Sequence, residues 1–377
     1  MVGYEHLVFP FPNTQSIITS NAEEVIPQLA VKYLLLDFGG RAAADKEAER
    51  RSIAANAAFT AAHQLVIFNV ARAYFMVDGV DAAVRAARQA LADAQVVQRS
   101  AEALYHRGLA TVVDVQLARR GTAQAQFNLS KARAGQNDAM YTLLAAMDLP
   151  PTTKLGVADS SKRSLPPRTA RTVDDMLSEA LQRRPDLLAD VAKLRATDAN
   201  IAAACSTLAP TVSLGGYLQF NAGQINVDNG PYAGVAEPQG AVLLTLNWPL
   251  YEGGLLENKL KLAQSQREQA ANELKERTDQ ALREVALAYD QIETGLQEYD
   301  AAIALQTASE AAFVSARDSY ARGVGTLTDA ASAQTGLAAA RADVARAHAQ
   351  SLINAAALAF ATGALTSSTE FATATPQ

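Results

Sequence analysis

The residues from which most enzyme and metal sites are built are scarce in this chain of 377 residues. It has one cysteine, Cys205, and four scattered histidines (His6, His63, His106 and His348) without a ligand spacing. A disulfide framework and a cysteine-rich metal site are therefore excluded. Because phosphate-binding loops and nucleophile elbows are also missing, we expect no enzyme, no metal and no cofactor.

Basic charge and long apolar runs are lacking as well. The chain has 33 lysines and arginines against 39 acidic residues, and the net charge of −6 argues against a nucleic-acid-binding surface. No unbroken run of apolar residues reaches the length of a membrane span, so the sequence predicts no transmembrane helix. The N-terminus has neither a basic region nor a small-residue cleavage site, and it does not resemble a signal peptide.

Alanine takes the place of the missing aromatic residues. Only 6% of the chain is aromatic although 49% is hydrophobic. Roughly 80 alanines account for much of the difference, far above ordinary usage. Alanine has the best helix propensity and little bulk. The composition therefore favours thin helices packed closely side by side over the bulky core of an α/β enzyme.

The sequence repeats itself once, with a period of about 215 residues. Three pairs of segments carry the repeat: LLDFGGR at 35–41 with PLYEGGL at 249–255, VARAY at 70–74 with VALAY at 285–289, and YHRGLATVVD at 105–114 with YARGVGTLTD at 320–329. The last two pairs share one offset, and the first differs from it by a single residue. We predict an internal duplication.

Each half predicts one long and one shorter helix. The stretches 41–106 and 255–321 contain no proline and are rich in helix formers, so each makes one helix of roughly 100 Å. The chain reverses after each and returns through 111–147 and 326–365. A Pro-rich connector divides the chain, which gives four parts: a first, N-terminally incomplete repeat at 1–150, the connector at 151–171, a second repeat at 172–365 and a flexible tail at 366–377.

Short strands are predicted beside these helices. The segments 211–220 and 241–251 alternate apolar and polar residues, which indicates half-buried strands of membrane-spanning length, and 28–38 is a weaker equivalent. The segment 221–240 is predicted to be a long external loop. Four aromatic residues are expected at strand ends: Tyr217, Phe220, Trp248 and Tyr251. A soluble hairpin packed on helices is the alternative.

A few strands cannot close a barrel, and lipid excludes an open sheet edge. Strands in a membrane would therefore have to be pooled by several chains. The expected fold class is mainly α with a small β part, in which long antiparallel helical hairpins form an α-barrel and a few strands join an oligomeric β-barrel.

These segments resemble the TolC family of outer-membrane efflux proteins. The resemblance rests on the duplication and on three motifs, each with its position: WPLYEGG at 248–254 with its copy LLDFGG at 35–40, the paired turns at 107–114 and 322–329, and ALQRRPDLLA at 180–189. It implies a homotrimeric, passive exit duct in the outer membrane of a Gram-negative cell, extended into the periplasm. The implied partners are a periplasmic adaptor protein, an inner-membrane pump and outer-membrane lipid.

A soluble, alanine-rich coiled-coil scaffold is the alternative function. The amphipathic strands distinguish the two, because a scaffold needs no lipid-facing alternation.

The resemblance also implies segments that this sequence does not show. The first half has no counterpart of 172–210, so the chain is expected to lack one helix piece, most of one strand and its export signal, with YEHLVFPF at 4–11 as the strand remnant.

The working end of the family is the hairpin tip, where acidic rings and side-chain latches close the pore. By position, the resemblance assigns Asp114 and Asp329 to these aspartates and Tyr320 to a latch tyrosine. Ser332 stands in place of a second acidic ring and Gly325 in place of a latch arginine. This leaves room for an Asp114–Tyr320 latch and excludes an arginine-based one. From the residues alone, each aspartate is equally well a helix N-cap.

Two further sets of residues are candidates. The exposed turn residues are expected either to contact the adaptor or to be plain turn residues: Arg107, Gly108, Leu109, Ala110, Arg322, Gly323 and Val324. Gly108 and Gly323 suit the left-handed position that ends a helix. Four glycines are expected to bend strand into helix: Gly39, Gly40, Gly253 and Gly254.

Overall fold

The computed structural model describes residues 2–10, 17–158, 163–167, 171–227 and 230–365. Its helices are α1 (Gly40–His106), α2 (Val112–Ala146), α3 (Val173–Arg183), α4 (Pro185–Ser206), α5 (Leu255–Ala321) and α6 (Leu327–Ala361). Its strands are β1 (Val2–Pro10), β2 (Ile17–Val25), β3 (Gln28–Leu36), β4 (Thr211–Val227) and β5 (Ala233–Asn247). The chain divides into a sheet unit, 1–52 with 192–272, and a helical unit, 53–191 with 273–377. The predicted tail at 366–377 lies outside the described residues.

The sheet consists of four strand columns, all antiparallel. β1 pairs with β2, and β4 pairs with β5 along its length. The other side of β4 pairs with β2 and then with β3, as Val25 lies opposite Ala222 and Gln28 opposite Gln219. The register does not change between these pairs, and the carbonyl of Pro27 still accepts a hydrogen bond from the Phe220 N–H at 3.1 Å. β2 and β3 are therefore one column, interrupted where Pro27 lacks a donor. The strand remnant expected at 4–11 overlaps β1.

The prediction of a long loop at 221–240 is wrong. β4 continues to Val227 and β5 begins at Ala233, so the connection between them is only 228–232. Glycine, asparagine and proline in this stretch disfavour a strand locally, but pairing of β4 on both sides overrides that preference. Tyr217 and Phe220 consequently lie in mid-strand and not at a strand end, whereas Trp248 directly follows β5.

The register separates a polar face from an apolar face. Thr211, Ser213 and Gln219 share one face with their partners Asn247, Thr245 and Gln239. The apolar face carries large exposed side chains from three columns, from Leu214 (41% exposed) to Val242 (80% exposed): Leu29, Val31, Tyr33, Leu214, Leu218, Phe220, Val242, Leu244 and Leu246. The alternation predicted for 211–220 is confirmed, and no described part of the chain covers the apolar face of the sheet.

The helices have the lengths that the missing prolines indicated. α1 and α5 have 67 residues each, and α2 and α6 have 35 each. α6 ends at Ala361, earlier than the predicted 365, because Gly363 adopts a left-handed conformation and the Ala364 N–H returns to the Ala359 carbonyl at 2.9 Å. Thr172 caps α3, and Pro185 separates α3 from α4, which ends at Ser206.

The described residues with positive φ form four pairs, each 215 positions apart: Phe38 with Gly253, Gly39 with Gly254, Gly108 with Gly323, and Asp148 with Gly363. Aligning the two Gly-Gly pairs directly, as the sequence suggested, is therefore off by one residue. Phe38 occupies a position that costs an L-residue about 1–2 kcal/mol. Its counterpart in the second half is Gly253, which adopts the same conformation without that cost.

Alanine dominates the buried surface. More than half of the buried apolar side chains among the described residues are alanines. Small alanine side chains allow the helices to approach closely. At one point the helices are so close that only one of the two facing residues can carry a methyl group. A Cβ built on Gly79 of α1 would lie 2.5 Å from the Cβ of Ala349 in α6.

One apolar window contradicts the expectation of no membrane-length helix. An 18-residue window of α1 has a mean hydropathy of 1.3 with 11% of it buried, so by length and composition this helix could cross a membrane. The alanines in this window raise its mean hydropathy although the window contains no unbroken run of large apolar residues. A search for unbroken apolar runs therefore does not find this window. The core helix of a soluble protein can pass the same test, so this window by itself assigns no membrane span.

Candidate functional site at the hairpin tips

The tips of the two helical hairpins pack against each other inside the helical unit. A buried cluster joins residues on both sides of the α1–α2 turn to residues on both sides of the α5–α6 turn: Val97, Ala101, Leu104, Ala118, Phe313, Tyr320, Leu327, Ala330 and Leu337. The candidate residues of the two halves, which are about 215 positions apart in sequence, thus belong to one local structure.

Both turns close in the same way. At the first turn the Leu109 N–H donates to the Leu104 carbonyl and the Gly108 N–H to the Tyr105 carbonyl, both at 2.9 Å. The second turn repeats this with Val324 and Gly323 as donors. The glycines have φ values of +71° and +78°, which confirms the predicted left-handed conformation. A Cβ on either would meet nothing within 4 Å, so conformation and not space requires glycine here.

Apolar side chains are exposed at the ends of both turns. Leu109 is 68% exposed and Val324 is 79% exposed. Arg107 and Arg322 are exposed beside them, whereas Ala110 is partly buried against the tip cluster. Single exposed apolar side chains are ordinary on a protein surface, so contact of these residues with a partner stays a prediction.

Both candidate aspartates lie in the first turn of a helix and hydrogen-bond to the threonine that caps it, Thr111 for α2 and Thr326 for α6. Asp114 Oδ2 accepts hydrogen bonds from the N–H and Oγ1 of Thr111, each at 2.8 Å, and the Asp114 N–H donates to Thr111 Oγ1 at 3.2 Å. Asp329 Oδ2 accepts from Thr326 Oγ1 at 2.7 Å, and its own N–H donates back at 3.1 Å. Each carboxylate also sits in a first helical turn, where negative charge is favourable. Asp114 therefore completes a capping box with Thr111, whereas Asp329 bonds only the hydroxyl and not the backbone N–H of its cap residue.

Tyr320 has a buried hydroxyl without a hydrogen-bond partner among the described residues. Its side chain is 5% exposed in the tip cluster. Burial, followed by the negative charge of Asp114, raises the pKa of this phenol. Because the Tyr320 hydroxyl has no partner, it forms no hydrogen bond with Asp114, whose Oδ2 accepts from Thr111 instead. The latch stays a prediction. An unpaired buried hydroxyl costs about 1–3 kcal/mol, so a hydrogen bond to Tyr320 in another arrangement of the tip would be stabilising.

Gly325, in place of the arginine of the family, lies where the second turn folds onto itself. Its N–H and that of Val324 both donate to the Ser319 carbonyl, at 3.1 and 3.0 Å. A Cβ here would lie 3.0 Å from Ser319 Cβ and 3.1 Å from the Tyr320 nitrogen, so any side chain would force the turn to shift. Ser332 is exposed on the following helix.

The strand-to-helix bends are made as predicted by three of the four glycines. Gly39, Gly253 and Gly254 have φ values of +91°, +61° and +82°. Gly40 instead begins α1, and a Cβ on it would lie 2.8 Å from Ser206 Oγ. Sequence reasoning missed Asp37, whose Oδ2 accepts the Arg41 N–H at 2.7 Å and so satisfies a free donor of the first turn of α1.

Sequence reasoning also missed a buried ion cluster at the α3–α4 break. The Arg184 side chain is 7% exposed and donates to Asp186 at 2.8 Å, to Glu284 at 2.7 Å and to the Ala361 carbonyl at 3.3 Å. Burial alone would raise the pKa of Asp186, but hydrogen bonds and charge from Arg184 outweigh it and lower the pKa. The signal that could have found it is the RRPD sequence at 183–186, which places an arginine and an aspartate on either side of Pro185. Within the described ranges no group of histidine, cysteine, aspartate and glutamate is placed to hold a metal ion.

Comparison with known proteins adds a family to this geometry. Residues 14–148 and 176–364 match the family model of outer membrane efflux proteins. Outer membrane protein OprJ of Pseudomonas aeruginosa is 28% identical over 305 residues, which cover 78% of this chain and 61% of OprJ. The chain thus spans about three-fifths of the length of this relative.

Solved structures agree with the fold. The outer-membrane channel OprN superposes with a TM-score of 0.79 at 21% identity, over 96% of this chain and 80% of OprN. The outer membrane protein VceC of Vibrio cholerae has a TM-score of 0.73 at 21% identity, over 96% of this chain and 86% of VceC. At this identity the likeness shows a shared fold.

Proposed function

The chain belongs to the outer membrane efflux protein family, and from that premise we propose that it forms a passive exit duct as one subunit of a homotrimer in the outer membrane of a Gram-negative cell. The TolC-family resemblance noted in the sequence is this membership. The strands would enter lipid, the helical hairpins would extend into the periplasm, and energy would come from an inner-membrane pump reached through a periplasmic adaptor.

The observation that carries the proposal is the two-faced sheet. Its apolar face is exposed and carries no charge from Val212 to Ala222 and on the paired parts of its neighbours. That stretch is about 34 Å long along the strand, which at the usual tilt of membrane strands spans an apolar band of about 25 Å. Four columns with open edges cannot persist alone in lipid, and three copies supply the twelve strands of a closed barrel.

The backbone pairs at 215-residue spacing support the duplication. α5 and α6 begin and end 215 positions after α1 and α2, so one unit of strand, bend and hairpin occurs twice. Duplicated hairpins present similar lateral surfaces, which suits helices that must pack on neighbours at both sides around a lumen. Two hairpins from each of three chains make the twelve helices of an α-barrel.

The experiment is reconstitution of the purified chain. We expect a crosslinked trimer in detergent, recovery with outer membranes after export, and stepwise conductance in a planar bilayer. A soluble protein that gives only monomers and no conductance would support the scaffold alternative and reject the duct.

The exposed turn residues Leu109 and Val324 are the proposed adaptor contacts, together with Arg107 and Arg322.

The tip aspartates separate two roles by paired substitutions. Asp114→Asn and Asp329→Asn keep an acceptor oxygen for the threonine cap and remove the charge, so they should lower the cation preference of the channel if the carboxylates line the pore. Thr111→Ala and Thr326→Ala keep the charge and remove the cap. They should cost about 1 kcal/mol of stability each and leave ion preference unchanged. Bilayer reversal potentials and thermal unfolding measure the two effects, and unchanged ion preference in both asparagine variants would place the carboxylates outside the pore.

A further inference from the structure

The polar face of the sheet carries few charges, and they differ in sign along the strands. Among its described side chains the charged residues are Lys32, Glu24 and Glu237. Lys32 lies opposite Gly215, which in turn lies opposite Leu243. Glu237 lies opposite Asn221, and Glu24 opposite Gly223. Because the register is unbroken, all three charges share the face of Gln219 and Ser213.

Lys32 stands alone at its level of the sheet. Its cross-strand partner Gly215 has no side chain, Leu243 is apolar, and Ala30 and Leu34 flank it on its own strand. The side chain is exposed, and the described residues give it no ion pair. The nearest acidic row within the paired strands is that of Asn221, six positions along β4 and about 20 Å away, which exceeds the screening length of about 10 Å at 0.1 M salt. Asp37 is closer, five residues further along the chain, but it lies past the end of β3 and forms an ion pair with Arg41 at 3.3 Å.

A charged lysine on a strand would be costly on a lipid face. Arginine or lysine toward the middle of a bilayer costs a membrane strand several kcal/mol. On the opposite, apolar face the neighbouring side chains at the same depth are Val31, Tyr33 and Leu214. The alternation therefore places Lys32 on the side that can be wet.

We propose that Lys32 gives the sheet end of the duct a local preference for anionic solutes: three copies form a cationic ring on the lumen wall, at the end of the barrel where β3 leads into α1. This inference rests on the proposed function, since only a closed trimer turns one lysine into a ring. Lys32 lies four residues before the end of β3, so solute arriving from the helical side meets this ring before the acidic rows of Glu237 and Glu24. Rings of fixed charge favour ions of the opposite sign.

The test is the reversal potential of single channels under a potassium chloride gradient. At about 0.1 M salt, Lys32→Gln should lower the chloride-to-potassium permeability ratio by about twofold and Lys32→Glu by more. Leu243→Lys adds a second lysine at the same level of the same face and should raise the ratio. All three shifts should vanish near 1 M salt, where the screening length falls to about 3 Å.

Lys259→Gln is the matched control, because Lys259 is exposed on α5 and its loss removes the same charge without changing the sheet. It should leave the ratio unchanged. Intact channels whose ratio does not respond to Lys32→Gln, or responds equally to Lys259→Gln, overturn the inference and leave the duct in place. Wild-type protein without conductance overturns the proposed function itself. If both Lys32 variants fail to insert into the bilayer, Leu243→Lys is the remaining test. An unchanged permeability ratio in that variant would show that charge at this level of the sheet does not affect ion preference, and would reject the inference.

Discussion

Replacing Arg184 by methionine is expected to lower the free energy of unfolding by about 3 kcal/mol. The guanidinium is buried and holds two carboxylates, Asp186 and Glu284, together with a helix-end carbonyl. Methionine fills part of the volume but leaves the two acids and the carbonyl without their donor. Breaking a buried pair from one side costs about 3–5 kcal/mol. The expected loss lies at the low end, because Asp186 and Glu284 are 27% and 37% exposed and water can replace part of what the guanidinium donated.

Arg183→Met is the control for this experiment. Arg183 precedes Arg184 directly, carries the same charge and pairs with Glu179, but its side chain is 63% exposed. Exposed pairs contribute about 0–1 kcal/mol, so the control should change stability little. Denaturant unfolding followed by circular dichroism in detergent measures both variants. Equal losses in the two would show that the Arg184 cluster is no more than a surface ion pair.

Acidification should reduce the difference in unfolding free energy between wild type and Arg184→Met. The pKa of Asp186 in the folded chain lies below its usual value, so its contribution is fully present above the unfolded pKa near 4 and is lost as pH falls through the lower folded pKa. The gap between wild type and Arg184→Met should therefore be constant from about pH 5 to 7 and narrow below about pH 4. A gap that widens on acidification would contradict the assignment of the cluster.

The helices could be predicted closely because their determinants are local. The proline-free stretch 41–106 became Gly40–His106, and 255–321 became Leu255–Ala321. Turn glycines and the Thr172 cap are equally local signals. The extent of β4 was not predictable in this way, since Asn221 and Gly223 are held in the strand by partners on β2 and β5 that the sequence does not reveal.

The tip residues show the same limit. Position and charge identified Asp114, but whether its carboxylate bonds Thr111 or Tyr320 depends on how two hairpins pack, and sequence pattern is silent on that. Arg184 was missed for the same reason. Its partners Glu284 and Ala361 are about 100 and 177 residues away in the chain. Residues that act through distant partners become visible only in the fold.

The same substitution, glycine to alanine, should have opposite effects at two helical positions. A Cβ on Gly121 of α2 would meet nothing within 4 Å, so Gly121→Ala should stabilise by up to about 1 kcal/mol through helix propensity. At Gly79 of α1 the Cβ would meet the Ala349 Cβ at 2.5 Å. The Ala349 Cβ is bonded directly to the backbone and cannot rotate away, so α1 and α6 must separate, and Gly79→Ala should destabilise by about 2 kcal/mol.

A compensating exchange isolates the contact. Ala349→Gly alone should destabilise through lost helix propensity and packing, by about 1 kcal/mol. Combined with Gly79→Ala it moves one methyl group from α6 to α1, so the double variant should be more stable than the sum of the two single losses indicates, by about 1–2 kcal/mol. Unfolding midpoints of the four proteins complete the cycle. If the two single losses are additive, Gly79 is needed for a reason other than its approach to Ala349. Only a direct contact between the two positions makes the methyl group on α1 acceptable once the one on α6 has been removed.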